Sequence, residues 1–392
     1  MKVEQIYSLM NNVTSEILGK TELIKEDLSN VVDVGTEIFN GTDVDNYVKS
    51  LVNHIGKVVF VNRPYSGNVP SVIMDSWEFG SVLEKIQADI PQAQENDSWN
   101  LTDGESYDTN VFYKPSVSAK FFNKKVTFEV AMSFTELQVK ESFSNANQLN
   151  GFLSMLYNSV EKSMTVKIDS LVMRTINNMI GETIYNDLYD STEKKVIYAN
   201  TGVKAVNLLK MFNTKFSKEL TQEQAITDSE FLKFASYTMQ LYVDRLSKMS
   251  TLFNVGGKER FTPNEMLKIV LLSEFKASAI SYLQADTYND ELVALPNAET
   301  VPYWQGSGLD YSFTDTSKIT VALSKEGTKV REIETSGIIG VMFDRDSLGV
   351  TNLDRRVTTN YNAKAEFYNN YYKFDSGYFN DLNENFVVFF MA

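Results

Sequence analysis

Few residue combinations in this chain have the spacing that chemistry demands. Gly19-Lys20-Thr21 has the ending of a phosphate-binding loop, but that loop needs a Gly five positions before Gly19, and Thr14 stands there. Gly256-Gly257-Lys258 is not followed by Ser or Thr and reads as a turn. Gly306-Ser307-Gly308 lacks the spacing of a nucleophile elbow and reads as a loop. His54 is the only histidine, so it alone is available for a Ser-His-Asp arrangement, and multi-His metal sites are excluded. It sits near the C-terminal end of an expected helix, where the dipole favours a protonated ring. That suits a structural role better than that of a base. The acid pairs Asp43/Asp45 and Asp344/Asp346 lack the further ligands of a calcium loop and read as solvated turn or cap residues. No cysteine is present, which removes disulfides, thiolate metal sites and cysteine nucleophiles. A hydrolase built on two carboxylates about 5–10 Å apart is the enzyme alternative, but no motif singles out such a pair. The expectation is a protein that is not an enzyme, with no catalytic, cofactor-binding or metal-ligating residues, working through its surfaces.

Charge sharpens this. The 37 Lys and Arg against 51 Asp and Glu leave a net charge of −14, which argues against a surface that grips nucleic acid. The cations that cluster are Lys114, Lys120, Lys124 and Lys125, and then Arg345, Arg355 and Arg356. They protect strand edges, or they dock onto acidic surfaces of other copies. Hydrophobic residues at 43% with 22% charged residues give a globular composition, and 392 residues suggest two or three lobes. No apolar signal segment follows the N-terminus, and the apolar run Phe386–Met391 is far too short to span a bilayer, so a cytosolic chain without membrane contact is expected. The sequons at Asn12, Asn40, Asn96 and Asn100 then read as chance matches.

The elements that must carry these surfaces follow from periodicity. Ile6, Leu9, Met10, Val13 and Ile17 suit one amphipathic helix whose stripe needs a partner surface. Val44, Tyr47, Val48, Leu51, Val52 and Ile55 share a helical face, Gly56 ends it, and residues 57–61 read as a strand. Residues 62–115 hold four of the seven prolines and little periodicity, as expected for an extended excursion that folds on a neighbour. Val117, Ala119 and Phe121 alternate on odd positions; Val126, Phe128, Val130, Met132 and Phe134 alternate on even ones. The change of parity at Asn123 implies a turn or bulge in a long β-arm with one apolar face. From Leu149 to Met179, apolar residues recur at three- and four-residue steps, predicting one very long helix over 147–180 that stops at Gly181. A helix is expected over 229–248. Met266–Leu272 reads as a strand covered on both faces, and a helix begins at Ser273. The rest is mostly β: 318–333, 337–343, a clean alternation from Val357 to Phe367, and a buried terminal strand over 385–391.

Two stretches carry a family likeness: Glu274-Phe-Lys-Ala-Ser-Ala-Ile-Ser-Tyr-Leu-Gln-Ala-Asp-Thr-Tyr-Asn289, and Gly337-Ile-Ile-Gly-Val-Met-Phe-Asp-Arg-Asp-Ser-Leu-Gly-Val350 followed by Asn360-Tyr-Asn362. With the order of parts, they resemble the major capsid proteins of tailed bacteriophages, nearest to those of small short-tailed phages (podoviruses) of Gram-positive hosts. The resemblance implies an α+β chain with the tailed-phage (Hong Kong phage) major capsid fold. Its parts would be an N-terminal arm (1–61), an extended loop with a β-arm (62–135), a peripheral domain with a long spine helix (136–199), an axial domain (200–320) and a return into the peripheral β-sheet (321–392). It implies a virion protein, assembled in the host cytoplasm, that forms a homo-oligomer of pentamers and hexamers and closes an icosahedral head. That head would enclose double-stranded DNA without specific binding, with portal, scaffolding and decoration proteins as partners. The alternative within the fold is an encapsulin, a cellular shell; encapsulins are usually smaller and lack so long an excursion.

Overall fold

The computed structural model describes residues 70–74, 82–91, 93, 95, 102–105, 110, 112–135, 146–284, 298–302, 304, 319–322 and 332–392. The N-terminal helices, the 57–61 strand, His54, Asp43/Asp45 and the Gly19 and Gly306 motifs lie outside these residues. In chain order come β1 (Ile73–Met74), β2 (Leu83–Ala88), β3 (Val117–Phe122), β4 (Lys125–Thr135), α1 (Ala146–Leu188), β5 (Tyr189–Asp190), β6 (Lys195–Val196) and β7 (Ala205–Asn207). Then follow α2 (Leu208–Phe216), α3 (Gln222–Ala225), α4 (Ser229–Ser247), β8 (Leu267–Leu272), α5 (Ser273–Gln284) and β9 (Ala298–Val301). The chain ends with β10 (Ile319–Ala322), β11 (Glu332–Thr335), β12 (Ile338–Asp344), β13 (Leu348–Asn362), β14 (Phe367–Asn380) and β15 (Phe386–Phe390). The class is mixed α+β.

Two larger sheets organise the body. One has the order β1-β13-β14-β4, the other β7-β15-β12-β8-β9. The last 70 residues, expected to return to one sheet, supply both: β13 and β14 run in the first, β12 and β15 in the second. The seven residues of β12 and the five of β15 are all buried, as befits strands covered on both faces. Gly340 admits β8 alongside: a Cβ there would meet the Val270 carbonyl at 2.8 Å. At Gly337, φ is +71° and a Cβ would lie 2.3 Å from the Met391 carbonyl, so both backbone conformation and space demand glycine. The Val357–Phe367 alternation, read as one strand, is broken by a turn at 363–366 that joins β13 to β14.

Helix α1 has 43 residues, so it is about 65 Å long. It packs against β13 and β14 of one sheet and β15 of the other. From Ile168 to Ile184 it is buried nearly all round, with Leu171, Val172, Ile176, Met179 and Ile180 in the core. It does not stop at Gly181. A helical glycine costs about 1 kcal/mol, whereas burying Ile184 and Leu188 beyond it returns roughly 1.5–3 kcal/mol each. The terminus comes two turns later, at Leu188, where Asp187 Oδ2 accepts from the Lys204 and Ala205 amides at 2.7 and 2.9 Å.

Helices α2 and α4 pack on one another, and α4 packs on α5. Asn207 caps α2 by accepting from Lys210 N, and its Nδ2 donates to the carbonyls of Tyr198 and Ala392, so one side chain ties three segments together. Asp228 caps α4 through Phe231 N. Trp304, fully buried, donates from Nε1 to the Ile338 carbonyl at 3.0 Å.

Candidate functional site

The β-arm read from sequence is two strands in two sheets. β3 pairs with β2, Leu83 opposite Phe122 through Ala88 opposite Val117, while β4 pairs with β14. The parity change at Asn123 marks this transfer. On β4 the even residues Val126, Phe128, Val130 and Met132 turn inward, and the Phe128 and Phe374 rings lie 5.2 Å apart. On β3 the odd residues Val117, Ala119 and Phe121 turn to solvent.

The β2–β3 hairpin therefore has two unlike faces. Its body-facing side carries Lys85 and Lys120, directly opposite each other. Like charges so placed repel. Asp381, from the turn between β14 and β15, resolves the conflict: Oδ2 lies 3.0 Å from Lys85 Nζ and Oδ1 2.9 Å from Lys120 Nζ. Lys85 also reaches Glu384 at 2.6 Å and donates to the Asp346 carbonyl at 3.2 Å. Glu384 holds Gln87 Nε2 at 2.9 Å and Arg260 Nε at 3.3 Å, and Arg260 donates to Gln87 Oε1. Further along, Lys258 pairs with Asp89 at 3.0 Å, and at the hairpin base the Phe122 and Phe379 rings are 5.2 Å apart.

The Asp381 side chain is fully buried. Burial alone would push its carboxyl up, but bonds from Lys120 and Lys85 bring it net below its ordinary value. Lys120, expected to shield an edge or dock on another copy, is thus spent within its own chain. Arg356 is likewise paired internally, with Asp375 at 2.9 Å and Asp354 at 3.3 Å, and Arg345 lies 3.5 Å from Asp346. Lys114, Lys124 and Lys125 are exposed, and burial lowers the pKa of Arg355. Asp344 is not the solvated turn residue expected. It is buried, accepts from Thr262 Oγ1 at 2.8 Å and Asp346 N at 2.9 Å, and burial raises its pKa.

The opposite face of the hairpin is largely apolar and open, with Glu84 opposite Phe121 as its one charge among the described residues. Ile86 and Phe121 are each 65% exposed, and Val82 and Val117 are exposed beside them. Exposed valine, isoleucine and phenylalanine sharing one face of a sheet mark an interaction surface. Alternation makes the faces legible from sequence, but which face meets the body is decided by Asp381 and Glu384, between 261 and 299 residues away from the lysines they hold.

Asp169 on α1 is a second unusual carboxyl. Its Oδ1 is out of solvent contact with no hydrogen-bond partner among the described residues, and burial pushes its pKa up to about 6. A folded value above the unfolded one near 3.8 means the native state binds the proton more tightly. Stability should therefore fall as pH rises from about 4 to 6. Asp169→Asn is expected to flatten that slope and stabilise the chain at pH 7 by roughly 1–2 kcal/mol, allowing for partial exposure. Urea melts at pH 4.5 and 7 check this; an unchanged slope would refute it.

Among the described residues, no group of three or more His, Asp or Glu is placed to hold a metal ion, and no helix is long and apolar enough to cross a membrane. Residues 10–390 match the family model of the Phi29-like phage major capsid protein. Over 205 residues the chain is 22% identical to the major capsid protein of Bacillus phage GA-1, a match spanning 51% of this chain and 42% of that protein. The capsid structure of Staphylococcus phage Andhra overlaps at a TM-score of 0.49 and 10% identity, covering 84% of this chain and 86% of that one. The capsid structure of cyanophage P-SCSP1u overlaps at 0.47 and 8% identity, covering 85% and 92%. With a family match that runs nearly end to end, the chain belongs to the Phi29-like phage major capsid proteins.

Proposed function

We propose that the chain self-assembles, as pentamers and hexamers, into an icosahedral phage head around double-stranded DNA, and that its role is structural rather than enzymatic. The observation that carries this is the two-faced hairpin. Its charged face is neutralised by the chain's own acids, while its apolar face is left for a neighbouring copy. Many such modest contacts sum by avidity once a lattice closes. The division into arm 1–61, loop 62–135, peripheral domain 136–199 with 321–392, and axial domain 200–320 belongs to the same reading, as do portal and scaffolding partners. The net charge of −14 suits a shell that encloses DNA while holding it loosely.

Negative-stain microscopy of the recombinant protein, alone and with co-expressed phage scaffold, tests this. Closed shells or five- and six-membered rings are expected; a monomer that never assembles would sink the proposal. Phe121→Lys with Ile86→Lys should leave the monomer's unfolding free energy in urea within about 0.5 kcal/mol, since both side chains are exposed and Glu84 lies opposite position 121. The same pair should abolish shells, and normal shells from it would remove the hairpin face from the assembly surface.

A further inference from the structure

An open groove of about 990 Å³ lies between α2, α4 and the β5–β6 turn. Lys210, Lys215 and Arg245 line it with Phe234 and Tyr237. Among the described residues, none of the three cations has a carboxylate within ion-pair distance. Lys215 Nζ sits 5.3 Å over the Phe234 ring, and Arg245 lies 5.2 Å over Tyr242. The acids on the wall point elsewhere: Asp187 serves the Lys204 and Ala205 amides, and Asp190 those of Thr192 and Glu193. Tyr237 is 62% exposed. In a chain of net charge −14, this is a cationic, aromatic seat for a segment carrying carboxylates and rings.

The chain has such a segment. Residues 91–116, the far part of the excursion, contain five acids (Glu95, Asp97, Asp103, Glu105, Asp108), one base (Lys114) and four aromatic residues (Trp99, Tyr107, Phe112, Tyr113). Asp103 and Glu105 are exposed on a turn, and Phe112 and Tyr113 are 84% and 85% exposed. These open rings and the segment's acids complement the groove's cations and aromatic residues. We propose that the tip of the excursion of one copy, centred on Asp103, Glu105, Phe112 and Tyr113, docks into the Lys210/Lys215/Arg245 groove of a second copy. This rests on the capsid reading and adds a specific seat to it. Such a contact is heterologous, tip to groove, and it closes into a ring when the rotation between copies does.

The test mixes ¹⁴N- and ¹⁵N-labelled full-length wild-type chains, assembles them, and treats the particles with a zero-length carbodiimide. Mixed-isotope cross-links joining Asp103 or Glu105 to Lys210 or Lys215 are expected. Lys210→Gln with Lys215→Gln should lower shell yield at least tenfold with a thermal melt within about 2 °C of wild type, because both side chains are exposed. Closed wild-type shells whose mixed-isotope links map elsewhere, or links found only within one isotope, would overturn the seat and leave the capsid reading intact. A wild-type chain that forms neither shells nor rings overturns the capsid reading, and this inference with it.

Discussion

Replacing Asp381 with Asn is expected to release the β2–β3 hairpin from the body. One carboxylate bridges two lysines that face each other across the hairpin, and its own side chain is fully buried. Removing one member of a buried ion set costs about 3–5 kcal/mol, chiefly because the remaining charges lose their partner. The lower end applies here, since Lys120 is 38% exposed and Lys85 retains Glu384. An isolated two-stranded hairpin is marginal in water, so detachment should unzip it. The readout is amide exchange over residues 83–88 and 117–122, which should accelerate about 100-fold for roughly 3 kcal/mol of local stability, while α1 amides keep their protection. Unchanged exchange in the hairpin would refute the lock. The pH dependence has a defined sign. The folded pKa of Asp381 lies below its ordinary value of 3.8, so the carboxylate's contribution is complete above that value and lost as pH falls through the lower folded one. The hairpin should therefore stay locked at pH 5 and open only in stronger acid.

Ile176→Ala should give the largest loss of global stability. Ile176 is fully buried in the C-terminal half of α1, a helix that packs against strands of both sheets. The cavity left by three carbons, in a site walled by elements that cannot close on it, costs about 3–4 kcal/mol. Because α1 is common to the cores of both sheets, a single urea transition should move rather than split. A loss below about 1 kcal/mol would mean that α1 is not the shared core element. By contrast, Glu193→Ala breaks only the exposed Lys195–Glu193 pair and should change stability by less than about 0.5 kcal/mol.

Much of the body is legible in local pattern. The spacing from Leu149 to Met179 marks α1, the apolar runs mark β8, β12 and β15, and the 229–248 periodicity marks α4. These follow from period 3.6, period 2, or uniform burial, which are properties of neighbouring residues. Gly181 misleads because helix termini depend on what the next turn buries, and that partner lies elsewhere in the chain. Asp344 misleads for the same reason: a polar residue in a turn looks solvated until Thr262 arrives over it. The alternation through Val357–Phe367 hides a turn because residues on both arms of a hairpin keep their own parity.

The candidate surface divides in the same way. Residue order alone determined that the β-arm changes parity at Asn123, that Val117, Ala119 and Phe121 share one side, and that no cysteine and one histidine leave little room for catalysis. It also carried the family likeness, through the 274–289 and 337–350 stretches, and the family match over residues 10–390 bears that likeness out. Only the tertiary structure decided which hairpin face turns inward, because Lys85 and Lys120 are drawn to Asp381 and Glu384 from the far end of the chain. Only it decided that Lys210, Lys215 and Arg245, on two separate helices, would line one groove with no carboxylate partner among the described residues. Periodicity is written along the chain, but charge neutralisation and burial depend on distance in space, and that distance is set only when the sheets close around α1.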